Sequence, residues 1–142
     1  MKFLLTIALF ICAINVTWAN DKLLIENAWV REGPPRATVL AGYLSIKNQS
    51  AIPQTLIEVS SPQFDLIEIH ESYEEDGMAR MRQLSALLVA AQSKLNLTPN
   101  GYHLMLMDPT QRIRAGMNVD LILKFDDLEP IQISAPVVRK ID

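Results

Sequence analysis

Cysteine is almost missing from this chain of 142 residues; the single one is Cys12. It lies inside Phe3 to Ile14, a nearly unbroken apolar run behind the short positive start Met1-Lys2. That run is too short to span a bilayer, which takes about 20 residues. With Thr17-Trp18-Ala19 offering small residues at the cleavage positions, residues 1–19 read as a secretory signal peptide cut after Ala19. A lipoprotein cysteine would want a small residue just before it, and Ile11 stands there. The mature chain, residues 20–142, is therefore expected to have no cysteine, which excludes disulfides, thiolate metal ligands and a cysteine nucleophile together.

Other absences narrow the function classes. No second long apolar run follows, so no membrane insertion of the mature chain is expected. Removing Lys2 leaves 12 basic against 16 acidic residues, a net charge of −4, without any basic run, so nucleic acid is not an expected partner. No Ser/His/Asp set, Gly-rich phosphate loop or zinc-helix motif is present, and the chain reads as a binding protein rather than an enzyme. No repeat, low-complexity tract or linker divides it. The expectation is one domain, periplasmic after export, and a monomer.

What is present is a series of short alternating runs. Leu23 to Arg31, Ala37 to Lys47, Thr55 to Val59, Phe64 to His70, Met78 to Leu84, Lys94 to Leu97, the stretch after Gly101, Asn118 to Phe125 and Ile131 to Val138 read as strands. Turn signals separate them: Gly33-Pro34-Pro35, Asn48-Gln49-Ser50, Asp76-Gly77, Pro99-Asn100-Gly101, Asp126-Asp127. The acidic stretch Glu71 to Gly77 reads as a loop or hairpin tip. Ser85 to Ala91 is ambiguous: its Ala and Leu content favours helix, but it is only about two helical turns long. Seven to nine short strands make an all-β sandwich or barrel.

The stretch Gly101-Tyr102-His103-Leu104-Met105-Leu106-Met107 organises the rest. By its period of two, Tyr102, Leu104 and Leu106 point one way and His103, Met105 and Met107 the other. The first set is an ordinary core face; one imidazole and two thioethers are not an ordinary solvent face. Same-face neighbours sit about 6.8 Å apart, so His103 and Met105 can lean toward one atom between them. Soft sulfur with imidazole nitrogen suits copper, above all Cu(I). The other histidine, His70, shares its face with Phe64, Leu66 and Glu68, while Ile67 and Ile69 face oppositely. Met78 and Met81 fall in the same window; by parity they point to opposite faces. A zinc site built from the two histidines with Glu68 or Glu71 is a rival reading, and Glu71, Glu74, Glu75 and Asp76 lack the spaced pattern of a calcium loop. A blue-copper electron-transfer site would need a cysteine thiolate.

The spacing His70-X10-Met81-X21-His103-X-Met105 closely resembles the periplasmic copper chaperones of the PCuAC family. Ala28-Trp29-Val30-Arg31, Ala41-Gly42-Tyr43-Leu44, Glu68-Ile69-His70-Glu71 and Met78 to Arg82 extend the likeness over nearly the whole mature chain. The resemblance implies a cupredoxin-like Greek-key β-sandwich that binds one Cu(I), with His70, Met81, His103 and Met105 as its ligands. It also implies delivery of that copper toward the CuA site of cytochrome c oxidase, either to subunit II or through an intermediary chaperone. Periplasmic copper storage or resistance with a different acceptor is the alternative. The chain departs from the family pattern in one respect: members often carry a methionine just after the first histidine, where Glu71, Ser72 and Tyr73 stand here. Met78 and Met107 remain as auxiliary sulfurs.

Two thioethers and two imidazoles form a neutral set without ionisable sulfur. Such a set suits monovalent copper and can pass it by stepwise exchange to stronger thiolate ligands. Imidazole must be neutral to bind, so copper binding should weaken as the pH falls below about 6.5. Equal Cu(I) affinity at pH 5 and pH 7.5 in a chelator competition would count against histidine ligation.

Overall fold

The computed structural model describes residues 22–139, so the signal segment and Cys12 lie outside the described residues. Ten strands follow in order: β1 Leu23–Arg31, β2 Val39–Asn48, β3 Gln54–Ser60, β4 Phe64–Glu75, β5 Met78–Leu84, β6 Leu87–Val89, β7 Ser93–Asn96, β8 Tyr102–Pro109, β9 Asn118–Phe125 and β10 Ile131–Val138. They form one hydrogen-bonded path, β5-β4-β8-β2-β1-β10-β9-β3-β6, with β7 beside β2. The path folds over on itself at β1, which pairs antiparallel with β2 and, through Val30 and Arg31, parallel with β10. A bulge between Glu26 and Trp29, with Asn27 at a φ of 52°, bends β1 between these two pairings.

One core fills the space between the two layers. Leu44, Ile46, Ile67, Ile69, Leu104 and Leu106 enter it from the β4-β8-β2 side, and Leu56, Leu121, Leu123, Phe125 and Val137 from the β10-β9-β3 side. Alternation on each strand puts these residues inward and leaves the opposite set on the outer face. On β2 the inward set includes Gly42. A β-carbon there would come 2.9 Å from Leu106 Cδ1, so the glycine lets β2 approach the leucines of β8.

Several boundaries differ from the sequence reading. Ser85 to Ala91 holds no helix; β6 pairs with β3 there, burying Leu87 and Val89 and exposing Leu88. A sheet edge offering partners to both inward side chains outweighs the helical preference of a short Ala/Leu run. Glu71 to Glu75 is strand, not loop. It continues β4 and pairs residue for residue with Met78 to Arg82, and the acidic side chains meet arginines across the hairpin (Glu71–Arg82, 2.6 Å; Glu75–Arg80, 2.8 Å). The turn is Asp76-Gly77, both at positive φ as a two-residue type I′ hairpin requires.

Asn48 is more than a turn residue. It is fully buried, and its Nδ2 donates to the carbonyls of Ile52, Val89 and Ala90 (2.9, 3.2 and 3.1 Å). Its Oδ1 accepts from the Ser50 amide and hydroxyl (2.9 and 2.7 Å). It thereby ties the end of β2 to β6 across the two layers. Asn48→Ala would strand these buried partners and should cost about 2–4 kcal/mol in urea unfolding; a loss under about 0.5 kcal/mol, within the range of a surface change, would refute the clamp.

Candidate metal centre

The outer face of β4 and β8 is set by their register. Ile67 pairs with Leu106 and Ile69 with Leu104, which turns the core residues inward together. The intervening pairs then face outward together: Leu66 with Met107, Glu68 with Met105, and His70 with His103. The imidazole centroids are 5.9 Å apart, with the ring planes inclined at 42°. Two rings at that separation can each place a nitrogen about 2 Å from one ion held between them. Met105 follows two residues after His103 on the same face.

Met81 comes from the neighbouring strand. On β5 it pairs with Ser72, two residues beyond His70, so it shares the outer face and lies diagonal to the imidazole. The four residues named by the sequence pattern thus occupy one face of three adjacent strands: the two histidines share a row, with Met105 one row to one side of it and Met81 one row to the other. Their exposure is graded. His103 is 5 % exposed and Met105 half-buried, whereas Met81, on the edge strand, is 53 % exposed. On the far side of β8, Tyr43 of β2 is buried on this face and packs against Trp29 of β1, with ring centroids 4.5 Å apart. Burial pushes the Tyr43 phenol pKa up. The site is therefore shut toward β2 and open toward β5.

The auxiliary methionines fall elsewhere. Met78 pairs with Glu75 on the face opposite Met81, as its parity indicated. Met107 shares the outer face but lies two rows, about 13–14 Å, from His103, between Leu66 and Val39. Of the three residues at the position where a further methionine was expected, only Ser72 is on the ligand face.

The hydrogen bonds of the two histidines select their free atoms. His103 Nδ1–H donates to the carbonyl of Gly101 at 3.0 Å, which leaves the lone pair on Nε2. His70 Nε2 is 2.8 Å from Glu68 Oε2, and His70 Nδ1 is buried without a partner. Arg31 Nε is also buried and unpartnered, but a guanidinium has four other N–H groups to satisfy, whereas the imidazole has no other atom left. His70 Nδ1 is thus a buried nitrogen without a hydrogen-bond partner, on a ring paired across the strands with a second imidazole, and its lone pair is open to a metal ion. Among the described residues no three His, Cys, Asp or Glu side chains come together to hold a metal ion; the thioethers of Met81 and Met105 are the further donors one row from the histidines on this face. The contribution of Glu68 went unrecognised in the sequence as anything beyond a rival zinc ligand. Its signal was its place two residues before His70 on the same face.

The family described as "Putative lipoprotein LpqE-like" matches residues 23–137. The chain belongs to the LpqE-like family. It is 26% identical over 118 residues to "Putative lipoprotein Lxx21020" of Leifsonia xyli subsp. xyli, across 82% of this chain and 70% of that one. Its fold is that of PCuAC domains, as the sequence resemblance implied. A copper-bound PCuAC domain from PmoF2 superimposes with a TM-score of 0.72 at 24% identity, covering 84% of this chain and 94% of that one. The solution structure of the Cu(I) form of DR1885 from Deinococcus radiodurans gives a TM-score of 0.64 at 27% identity, covering 80% and 76%. No helix of the described residues is long and apolar enough to cross a membrane.

The exposure gradient can be checked without metal. Mild peroxide should convert Met78 and Met81 to sulfoxides before Met105 and Met107, as read by peptide mass spectrometry, because the first two are more than half exposed. Equal or earlier oxidation of Met105 would show that the outer face is open where the structure closes it.

Proposed function

We propose that this LpqE-like protein is an exported copper carrier that binds one Cu(I) through His70, Met81, His103 and Met105 and passes it to another protein. The observation that carries the reading is the cross-strand pair His70–His103, with an orphaned buried nitrogen on His70 and two thioethers on the same face. The known proteins add support: a solved relative of the same fold holds Cu(I), and a curated relative bears the name of a lipoprotein, which suits an exported protein. Copper is the cargo here, and the chain's part is to bind, shield and release it. His103 and Met105 sit in the buried part of the site, while Met81 stands on the exposed edge strand where an incoming ligand can replace it first. A neutral set of two nitrogens and two sulfurs holds a soft monovalent ion without the grip of a thiolate. The residues do no bond-breaking chemistry in this scheme; the protein is a binding protein, not an enzyme.

The finer reading is delivery toward the CuA site of cytochrome c oxidase from a periplasmic position after signal cleavage, and it rests on the PCuAC resemblance. Transfer of copper from the loaded chain to a CuA-bearing domain, but not to an unrelated copper-resistance acceptor, would support it over storage.

The core of the proposal is tested by anaerobic Cu(I) titration against a competing chelator, with X-ray absorption on the loaded form. The expected result is one copper per chain with mixed sulfur and nitrogen neighbours, lost in Met81→Ala and His103→Ala. Met78→Leu and Met107→Leu should leave the affinity within about twofold, since neither side chain is placed to reach the ion. A shell of nitrogen and oxygen alone, or a chain that does not compete for Cu(I), would sink the site.

A further inference from the structure

One acidic side chain stands beside the imidazoles on the outer face of the sheet, and it is already engaged. Glu68 precedes His70 by two residues on β4 and lies opposite Met105 on β8. Its Oε2 is 2.8 Å from His70 Nε2, and both side chains are largely buried, at 21% and 14% exposed. A carboxylate can only accept, so the ring proton of a neutral His70 belongs on Nε2 and the lone pair on Nδ1. Nδ1 is the atom found buried without a partner. On His103 the order is reversed: Gly101 O takes the Nδ1 proton, and Nε2 keeps the lone pair. Two imidazoles in direct register on neighbouring strands therefore present different nitrogens.

We propose that Glu68 is a positioning residue for the copper, holding His70 in the tautomer that ligates through Nδ1 while His103 ligates through Nε2. This inference rests on the copper-carrier reading above. The hydrogen bond does two things at once. It fixes the orientation and raises the donor strength of the imidazole, as carboxylate partners of metal-bound histidines do. It also directs the carboxylate toward His70 through Oε2. Glu68 and Met105 are cross-strand neighbours whose β-carbons lie about 5 Å apart, so a free Glu68 could bring a hard, anionic oxygen to the ion. With Oε2 turned to Nε2–H, the carboxylate is aimed at His70 rather than at the ion, and the ligating atoms stay neutral nitrogen and sulfur, which favours Cu(I) over divalent ions.

The test is made on the whole mature chain labelled with 15N, by long-range 1H–15N correlation of the imidazoles at neutral pH. In the metal-free protein His70 should carry its proton on Nε2 and His103 on Nδ1. On adding Cu(I), the large nitrogen shifts should fall on His70 Nδ1 and His103 Nε2. Glu68→Ala should give a mixture of His70 tautomers and weaken Cu(I) binding by about 10- to 100-fold in the chelator competition. Glu68→Gln, whose amide oxygen still accepts from Nε2–H, should keep the tautomer and recover most of the affinity. Both variants should melt close to the unsubstituted chain, because Glu68 is on the outer face and contributes nothing to the core. A His70 protonated on Nδ1 in the unsubstituted protein overturns the proposal. So does a copper-induced change at His70 Nε2, or a Glu68→Ala variant that keeps both tautomer and affinity. If the unsubstituted chain takes up no Cu(I), the carrier reading falls and the role of Glu68 falls with it. That titration separates this failure from one in which copper binds but Glu68 does not steer it.

Discussion

The register between β4 and β8 is the constraint on which the rest depends. Ile67 and Ile69 must meet Leu106 and Leu104 inside the core. Because side chains alternate strictly, a slip of one residue in either strand would turn that strand's two core residues toward solvent and bury its imidazole face instead. Burying each such aliphatic side chain is worth about 1.5–3 kcal/mol, so the alternative register is far out of reach. The pairing of His70 with His103 is a by-product of that hydrophobic bookkeeping. The proposed metal site needs no strain or special loop; it uses the back of a well-packed sheet.

The sandwich also gives the site its polarity. Strand β8 lies between β4 and β2, so His103 and Met105 are enclosed, and Tyr43 with Trp29 closes the side toward β1. Strand β5 is the end of the path, and its residues are almost all exposed. A carrier has to hold its ion away from water and still let another protein reach it. For the proposed carrier, a burial gradient running from a central strand to an edge strand meets both needs with the same four side chains. The hairpin that carries Met81 is bridged on its other face by the Glu71–Arg82 and Glu75–Arg80 pairs. These exposed pairs are weak individually.

Much of this was legible in the chain. Alternation identified the inward and outward faces of β8 and of β4 from Leu66 onward, because a period of two is unambiguous wherever one face is buried; Phe64, read onto the His70 face, is instead buried in the core with Ile67 and Ile69 at the start of β4. Asp76-Gly77 was readable as a tight turn because few dipeptides accept two consecutive positive φ values. The extent of the hairpin was not readable, since Glu71 to Glu75 looks like solvated loop until the arginines opposite are known. Nor was β6. Leu87-Leu88-Val89 has no helical or strand preference strong enough to decide, and the open edge of β3 decided it. Asn48 looked like a turn residue because its carbonyl partners on β6 are some forty residues away.

By itself the sequence determined the class of fold, the faces of the strands and the donors on offer: residues 20–142 hold no cysteine, and their methionines are interleaved with the chain's two histidines. Only the tertiary structure decided that the two histidines face each other, that Met81 reaches the same face from an edge strand while Met78 and Met107 do not, and which nitrogen of each imidazole is free. Alternation along a strand is a local property, set by the geometry of one residue after another. Register between strands far apart in the chain, and the hydrogen bonds that settle a tautomer, depend on which core side chains meet, and that exists only once the two layers have closed.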